Sequence, residues 1–175
     1  MTRELVLYGD PVLRKVAEPV TEFDEDLVEL VGDMYRIMYE EQGIGLAGPQ
    51  VGDLRRVFVI DVPADEETER VRLTMVNPKI VDRAGTVLEE EGCLSIPGIR
   101  EKVERPQQVT VRFQDESGDE FEAEATELVA RAILHENDHL DGILFVDRIS
   151  AIRRSLLKRQ LTEIAAGTVP KESER

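Results

Sequence analysis

The chain is 175 residues and 19.8 kDa, enough for one domain and cramped for two. Lys+Arg 22 against Asp+Glu 37 leave a net charge of −15, and a surface of that sign repels phosphate backbones, which excludes specific nucleic-acid binding as a first reading. The lone cysteine, Cys93, excludes an internal disulfide and agrees with a reducing compartment.

Charged residues make up 34% of the chain, yet the apolar 41% falls in periodic blocks, so the chain is expected to fold. Its apolar runs are a few residues long, far below the roughly 20 that cross a bilayer. The opening MTRELVLYGDPVLRK meets charge, Gly and Pro too early to hold a signal-peptide core, and Glu4, Asp10 and Glu18 do not suit an organelle transit peptide. A soluble, cytoplasmic protein without membrane attachment is expected, with residues 1–167 as a single domain and 168–175 as a flexible polar tail.

In chain order, Leu27, Leu30, Val31, Met34, Ile37 and Met38 predict a helix over 24–41, with Asp24 as N-cap and Gly43 as terminator. Residues 56–62 and 71–82, rich in β-branched side chains, read as strands around an acidic loop at Ala64–Arg70. Pro78 must sit at an edge or a bulge, because it has no N–H for a ladder. Segments 108–115 and 120–126 alternate apolar and polar residues and predict a hairpin turning at Glu116–Asp119. Thr126 is placed to cap a second helix through Leu140, closed by Gly142 after Asp141. A third helix is expected from Ser150 to Ala165, with Ile152, Leu156, Leu157, Leu161 and Ile164 on its apolar side. Hairpins in place of strand–helix alternation predict an α+β fold: small antiparallel β-sheets packed around the second helix, with a C-terminal helix.

The chain spends its only two histidines in His135-Glu136-Asn137-Asp138-His139, an H-E-x-x-H pattern on a predicted helix. Four residues is just over one turn, so both imidazoles leave the same face and can share a cation, with Glu136 in reach of an attacking water as general base. Two buried core histidines are the competing reading. A third ligand is needed, and Cys93, in the glycine-flanked stretch Glu91–Gly98, is a soft donor suited to Fe²⁺, Zn²⁺, Co²⁺ or Ni²⁺; an inert buried thiol is its alternative. The stretch Gly43–Gly52 lacks the G-K-[ST] ending of a phosphate loop and the G-x-G-x-x-G spacing of a dinucleotide site. It reads either as a glycine-rich crossing beneath another segment or as a wall of exposed peptide groups for an extended substrate, with Gln50 as a side-chain donor.

Three segments, GIGLAGPQ at 43–50, EGCLS at 91–95 and HENDH at 135–139, in this order and at these separations, resemble the three motifs of the bacterial-type peptide deformylase family. The early GDPVLRKVA is also similar, so the resemblance covers roughly residues 5–148. It implies a metal-dependent hydrolase that removes the N-formyl group from the N-terminal methionine of newly made proteins and releases formate. It implies one divalent metal, natively Fe²⁺ with Zn²⁺, Ni²⁺ or Co²⁺ as substitutes, on Cys93, His135 and His139. By the same resemblance Glu136 moves protons, while the Gln50 amide and the Leu94 N–H donate to the growing oxyanion. Gly43, Ile44, Gly45 and Leu128 would bind the N-formyl-methionyl chain. Arg131 stands where an apolar pocket wall is expected; Asp138 is expected to hold a ligand or a nearby basic group, and Glu91 to do likewise with Arg105 or Arg100.

Two other readings compete. An H-E-x-x-H metallopeptidase takes its third ligand later in the chain, where Asp147 is an acidic option but no third histidine exists. A non-catalytic module with a structural metal would have no use for Glu136 and Gln50. On the last helix, Arg153, Arg154, Lys158 and Arg159 read as partners for i,i+4 ion pairs, or as a weak contact with the ribosome.

Overall fold

The structure is a computed structural model and describes residues 2–168. Of the expected tail, everything beyond Thr168 lies outside the described residues. Helix α1 spans Glu25–Glu40, with the Asp24 carboxylate accepting from the Leu27 N–H. Strands β1 (Gly45–Ala47), β2 (Val57–Val62), β3 (Val71–Ala84), β6 (Gln108–Gln114) and β7 (Glu120–Thr126) form an antiparallel sheet in the order β1-β2-β3-β6-β7. Strands β4 (Val87–Cys93) and β5 (Ile96–Arg105) form a separate hairpin. Helix α2 (Glu127–Leu140) carries the H-E-x-x-H segment, and α3 (Ala151–Leu156) and α4 (Lys158–Ala165) end the described chain. The α+β expectation holds.

Strand β2 explains why VFVIDV is apolar at consecutive positions. Val57 and Val59 face α1, packing with Leu27, Met34 and Met38, while Phe58 and Ile60 face α2 and meet Ile133. A strand covered on both faces has no solvent side to keep polar. A third cluster, built from Leu13, Ile96, Ile99, Val103, Phe145, Leu161 and Ile164, seats the β4–β5 hairpin against the C-terminal helices.

The segment from Val6 to Ala17 links the turn after β1, the tip of the β4–β5 hairpin and the end of α2. The Val6 N–H donates to the Gln50 carbonyl (2.8 Å), the Tyr8 N–H to the Ser95 carbonyl (2.8 Å) and the Ala17 N–H to the Leu140 carbonyl (2.8 Å). Gly9 has φ +103 and lies so close to α4 that a Cβ there would meet the Ala165 Cβ at 2.6 Å.

Several local expectations change. The left-handed residue after α1 is Gln42 (φ 58) and not Gly43. Thr126 occupies the N-cap of α2, but its hydroxyl makes no capping bond; instead the Glu127 N–H donates to the Gln107 carbonyl. The third helix breaks at Leu157, which turns Ile152 (76% exposed) and Leu156 (70% exposed) away from the core that holds Leu157, Leu161 and Ile164. Pro78 sits, as required, where the β3–β6 register shifts between Val76 and Lys79. Asn77 beside it (φ 50) binds Val20 through both amide atoms.

Candidate active site

Helix α2 buries His135, Glu136 and His139 on the side facing β1 and the hairpin. One turn of spacing brings the two imidazoles to 5.0 Å between ring centroids, edge to face. Cys93 ends β4, immediately before the two-residue turn Leu94–Ser95. There the pairing jumps from Gly92↔Arg100 to Cys93↔Ile96, which bends the hairpin tip toward α2. One donor atom from each of Cys93, His135 and His139 lies within 4.8 Å of the others, and the Cys93 Sγ is 3.4 Å from His139 Nε2. The His135 Nδ1 bonds the Glu91 carboxylate at 2.6 Å, which leaves its Nε2 for the cluster. One sulfur and two imidazole nitrogens converging on one point form a donor set that fits a divalent transition metal.

Around this cluster the glycine-rich segment does two jobs at once. A Cβ on Gly45 would meet Glu136 Oε1 at 2.6 Å, and one on Gly43 would meet Leu94 Cδ1 at 2.5 Å. The stretch therefore is a crossing beneath other segments, and that closeness lays β1 along the cluster. The Gln50 amide has one orientation: Oε1 accepts from the Ala47 N–H (2.9 Å), and Nε2 donates to Ser95 Oγ (3.1 Å) and points at Cys93 Sγ (3.6 Å). The Leu94 N–H, at the hairpin tip, has no backbone partner among the described residues. Ile44 is half-buried against the α2 side of the sheet. Leu128, two turns ahead of His135, is 49% exposed.

Burial pushes the Glu136 carboxyl up to about 7, and its Oε2 has no partner among the described residues. A proton-transfer group near neutrality suits acid–base work. Burial also opposes the charge on Glu91, but hydrogen bonds from His135 and Arg105 outweigh it and hold that carboxyl far below the usual range. For His135, burial works against the proton, yet contacts with Cys93 and Glu91 prevail and raise its pKa, whereas burial and the neighbouring His135 lower that of His139.

Glu91 pairs with Arg105 (3.0 and 2.6 Å) rather than Arg100, and Arg105 also reaches Asp138 (2.7 Å). Arg131 points into the hairpin and lines no apolar wall, donating to Glu91 Oε1 (3.0 Å) and the Val103 carbonyl (2.9 Å). Sequence reasoning missed Ser95, fully buried beneath Gln50; its place two residues after Cys93 was the available signal.

Comparison with known proteins agrees with this geometry. The family model described as "Polypeptide deformylase" matches residues 2–155. The chain is 51% identical over 164 residues to a peptide deformylase of Acidobacterium capsulatum, covering 94% of this chain and 96% of that one. It is similar to the crystal structure of a peptide deformylase from Legionella pneumophila (TM-score 0.86, 40% identity, 97% of this chain and 100% of that one). It is likewise similar to that of the Thermus thermophilus enzyme (TM-score 0.87, 39% identity, 95% and 99%). The chain therefore belongs to the polypeptide deformylase family, metal-dependent hydrolases that take the N-formyl group from newly made proteins.

Proposed function

We propose that Cys93, His135 and His139 hold one divalent metal ion, Fe²⁺ in the cell with Zn²⁺, Ni²⁺ or Co²⁺ able to replace it, and that Glu136, Gln50 and the Leu94 N–H act on the formyl group of N-formyl-methionyl chains beside it. The observation that carries this reading is the convergence of three donor atoms within 4.8 Å next to a buried carboxyl at about 7. When bound, the cation supplies Lewis acidity, making water a nucleophile at neutral pH and drawing charge from the carbonyl oxygen.

The protein's own groups supply the rest. Glu136 takes a proton from the attacking water and passes it to the departing amine, so formyl amide plus water becomes formate plus a free α-amine. As the formyl oxygen gains charge, the Gln50 amide, held by Ala47 and Ser95, and the Leu94 N–H donate to it. The Asp61 N–H donates to the Ile44 carbonyl (2.9 Å). By the alternation of an antiparallel pair, the peptide groups of Gly45 then face the open edge of β1. A substrate backbone adds there as a further strand. Gly43, Ile44 and Leu128 frame the methionine side chain.

An endopeptidase reading would call on a ligand after the helix, but the third donor precedes it, and Asp147 is engaged by Arg14 and Arg154. No helix among the described residues is long and apolar enough to cross a membrane, and the proposed setting is the cytoplasm, with residues 1–167 as one catalytic domain. Three cations of the last helices are paired: Arg153 with Glu101, Arg154 with Asp147 and Arg159 with Glu163. This favours ion-pair roles over the ribosome contact, which co-sedimentation with a salt titration would detect.

The test is formate release from formyl-Met-Ala-Ser by anaerobically prepared iron- or nickel-loaded protein, with acetyl-Met-Ala-Ser as control. Release from the formyl peptide alone is expected. No release despite one bound metal per chain would overturn the reading.

A further inference from the structure

Resting on the metal reading above, we propose that Arg131 is a positioning residue that sets the spacing between Cys93 and the two histidines. The ligands belong to different bodies. The histidines ride on α2, which packs most closely against β1, β2 and β7, whereas Cys93 rides on a hairpin anchored in the separate cluster of Leu13, Ile96, Val103, Phe145 and Leu161. The helix alone fixes the distance between His135 and His139. The distance from either to Cys93 depends on how the hairpin seats on α2.

That seat is polar. Arg131 lies one turn before His135 on the same helix face. Its buried guanidinium donates to the Val87 carbonyl of β4 (3.1 Å), the Val103 carbonyl of β5 (2.9 Å) and Glu91 Oε1 (3.0 Å). One helical side chain thus grips both strands of the Cys93 hairpin and the carboxylate that holds His135. Arg105–Asp138 and Glu91–His135 also join hairpin to helix. Only Arg131, among these side chains, takes hold of the strand backbones, and so fixes their register against the helix. Without it the carbonyls and Glu91 Oε1 lose a buried partner, and the hairpin must be ordered when the metal arrives. Residues that support ligands in this way change metal affinity by roughly 10–100-fold when removed.

The experiment measures Co²⁺ affinity of apo-protein by chelator competition, the thiolate–Co²⁺ absorption band and the metal release rate, for wild type, Arg131→Met, Arg131→Lys and a Val111→Ala control. Val111 is buried in the sheet core away from the hairpin. Arg131→Met is expected to bind Co²⁺ about 10–100-fold more weakly and release it faster, with a weakened thiolate band and turnover per bound metal close to wild type. Arg131→Lys, which keeps one charge-assisted donor, should fall between and serves if the methionine variant does not fold. Val111→Ala should lose thermal stability without losing Co²⁺ affinity. Wild-type affinity and release in both Arg131 variants would overturn the proposal, as would an equal affinity loss in Val111→Ala. Failure of the wild type itself to show a thiolate–Co²⁺ band would instead overturn the metal reading beneath it.

Discussion

Gly45→Ala probes the contact between β1 and Glu136. Gly45 lies in an ordinary extended strand, so alanine brings no backbone strain; all of its cost comes from what the new methyl meets. That is the Glu136 carboxyl, with Oε1 at 2.6 Å and Cδ at 3.0 Å. Restoring an ordinary contact of about 3.5 Å requires Oε1 to retreat by about 0.9 Å. A displacement near 1 Å in a reacting group costs about 100-fold in rate, equivalent to about 2.7 kcal/mol of barrier. The three atoms nearest the new methyl all belong to Glu136 and none to a proposed metal donor. The expected result is kcat for formyl-Met-Ala-Ser down about 100-fold, with metal content by mass spectrometry unchanged and stability lowered by about 1–3 kcal/mol through overpacking. Gly32→Ala, in mid-α1 with nothing within 4 Å of its new Cβ, is the control; it should raise stability by about 0.5–1 kcal/mol and leave turnover alone. Wild-type kcat in Gly45→Ala with full metal content would refute the idea that Glu136 must stay where β1 holds it.

Glu136→Ala should keep its metal and lose about 10²–10⁴-fold in kcat, since acid–base catalysis is removed and the donor set is not; unchanged turnover would reassign the general base. Arg105→Met leaves the buried carboxylates of Glu91 and Asp138 short of a shared cation, and urea unfolding should show a loss of about 3–5 kcal/mol. Asp61, held at about 2 mainly by its hydrogen bond with Arg70, contributes stability that is complete above about pH 4 and lost as pH falls through about 2. Because Arg70 is largely exposed, solvent screening limits that contribution to about 1 kcal/mol. Asp61→Asn should lose this much at pH 7 and flatten the decline of stability between about pH 4 and 2, followed by urea melts across that range.

The site was legible in the sequence to the extent that its chemistry resides in scarce residue types. Cys93, His135 and His139 announced themselves because the chain holds one cysteine and two histidines. Strand β2 and helix α1 were legible because their buried faces are apolar. The β4–β5 hairpin was not, for a physical reason: its inward positions include Glu91 and Arg105, buried by pairing with charge rather than with hydrocarbon. Binary patterning sees such a strand as solvent-facing. The same cause hid Arg131, which reads as an intruder in an apolar wall until its acceptors on the hairpin are known. The break at Leu157 left no mark either, since Leu156 and Leu157 continue the helical periodicity while only Leu157 is buried.

The docking of the segment from Val6 to Ala17 has a consequence for the order in which this protein can be completed. Its anchors include the Leu140 carbonyl and Ala165, both far downstream. A ribosome makes those partners well after the segment itself, so its docking cannot be completed until they have emerged. Because the same segment braces the carbonyls of Gln50 and Ser95, the surroundings of the candidate site are completed by residues that themselves need partners made much later.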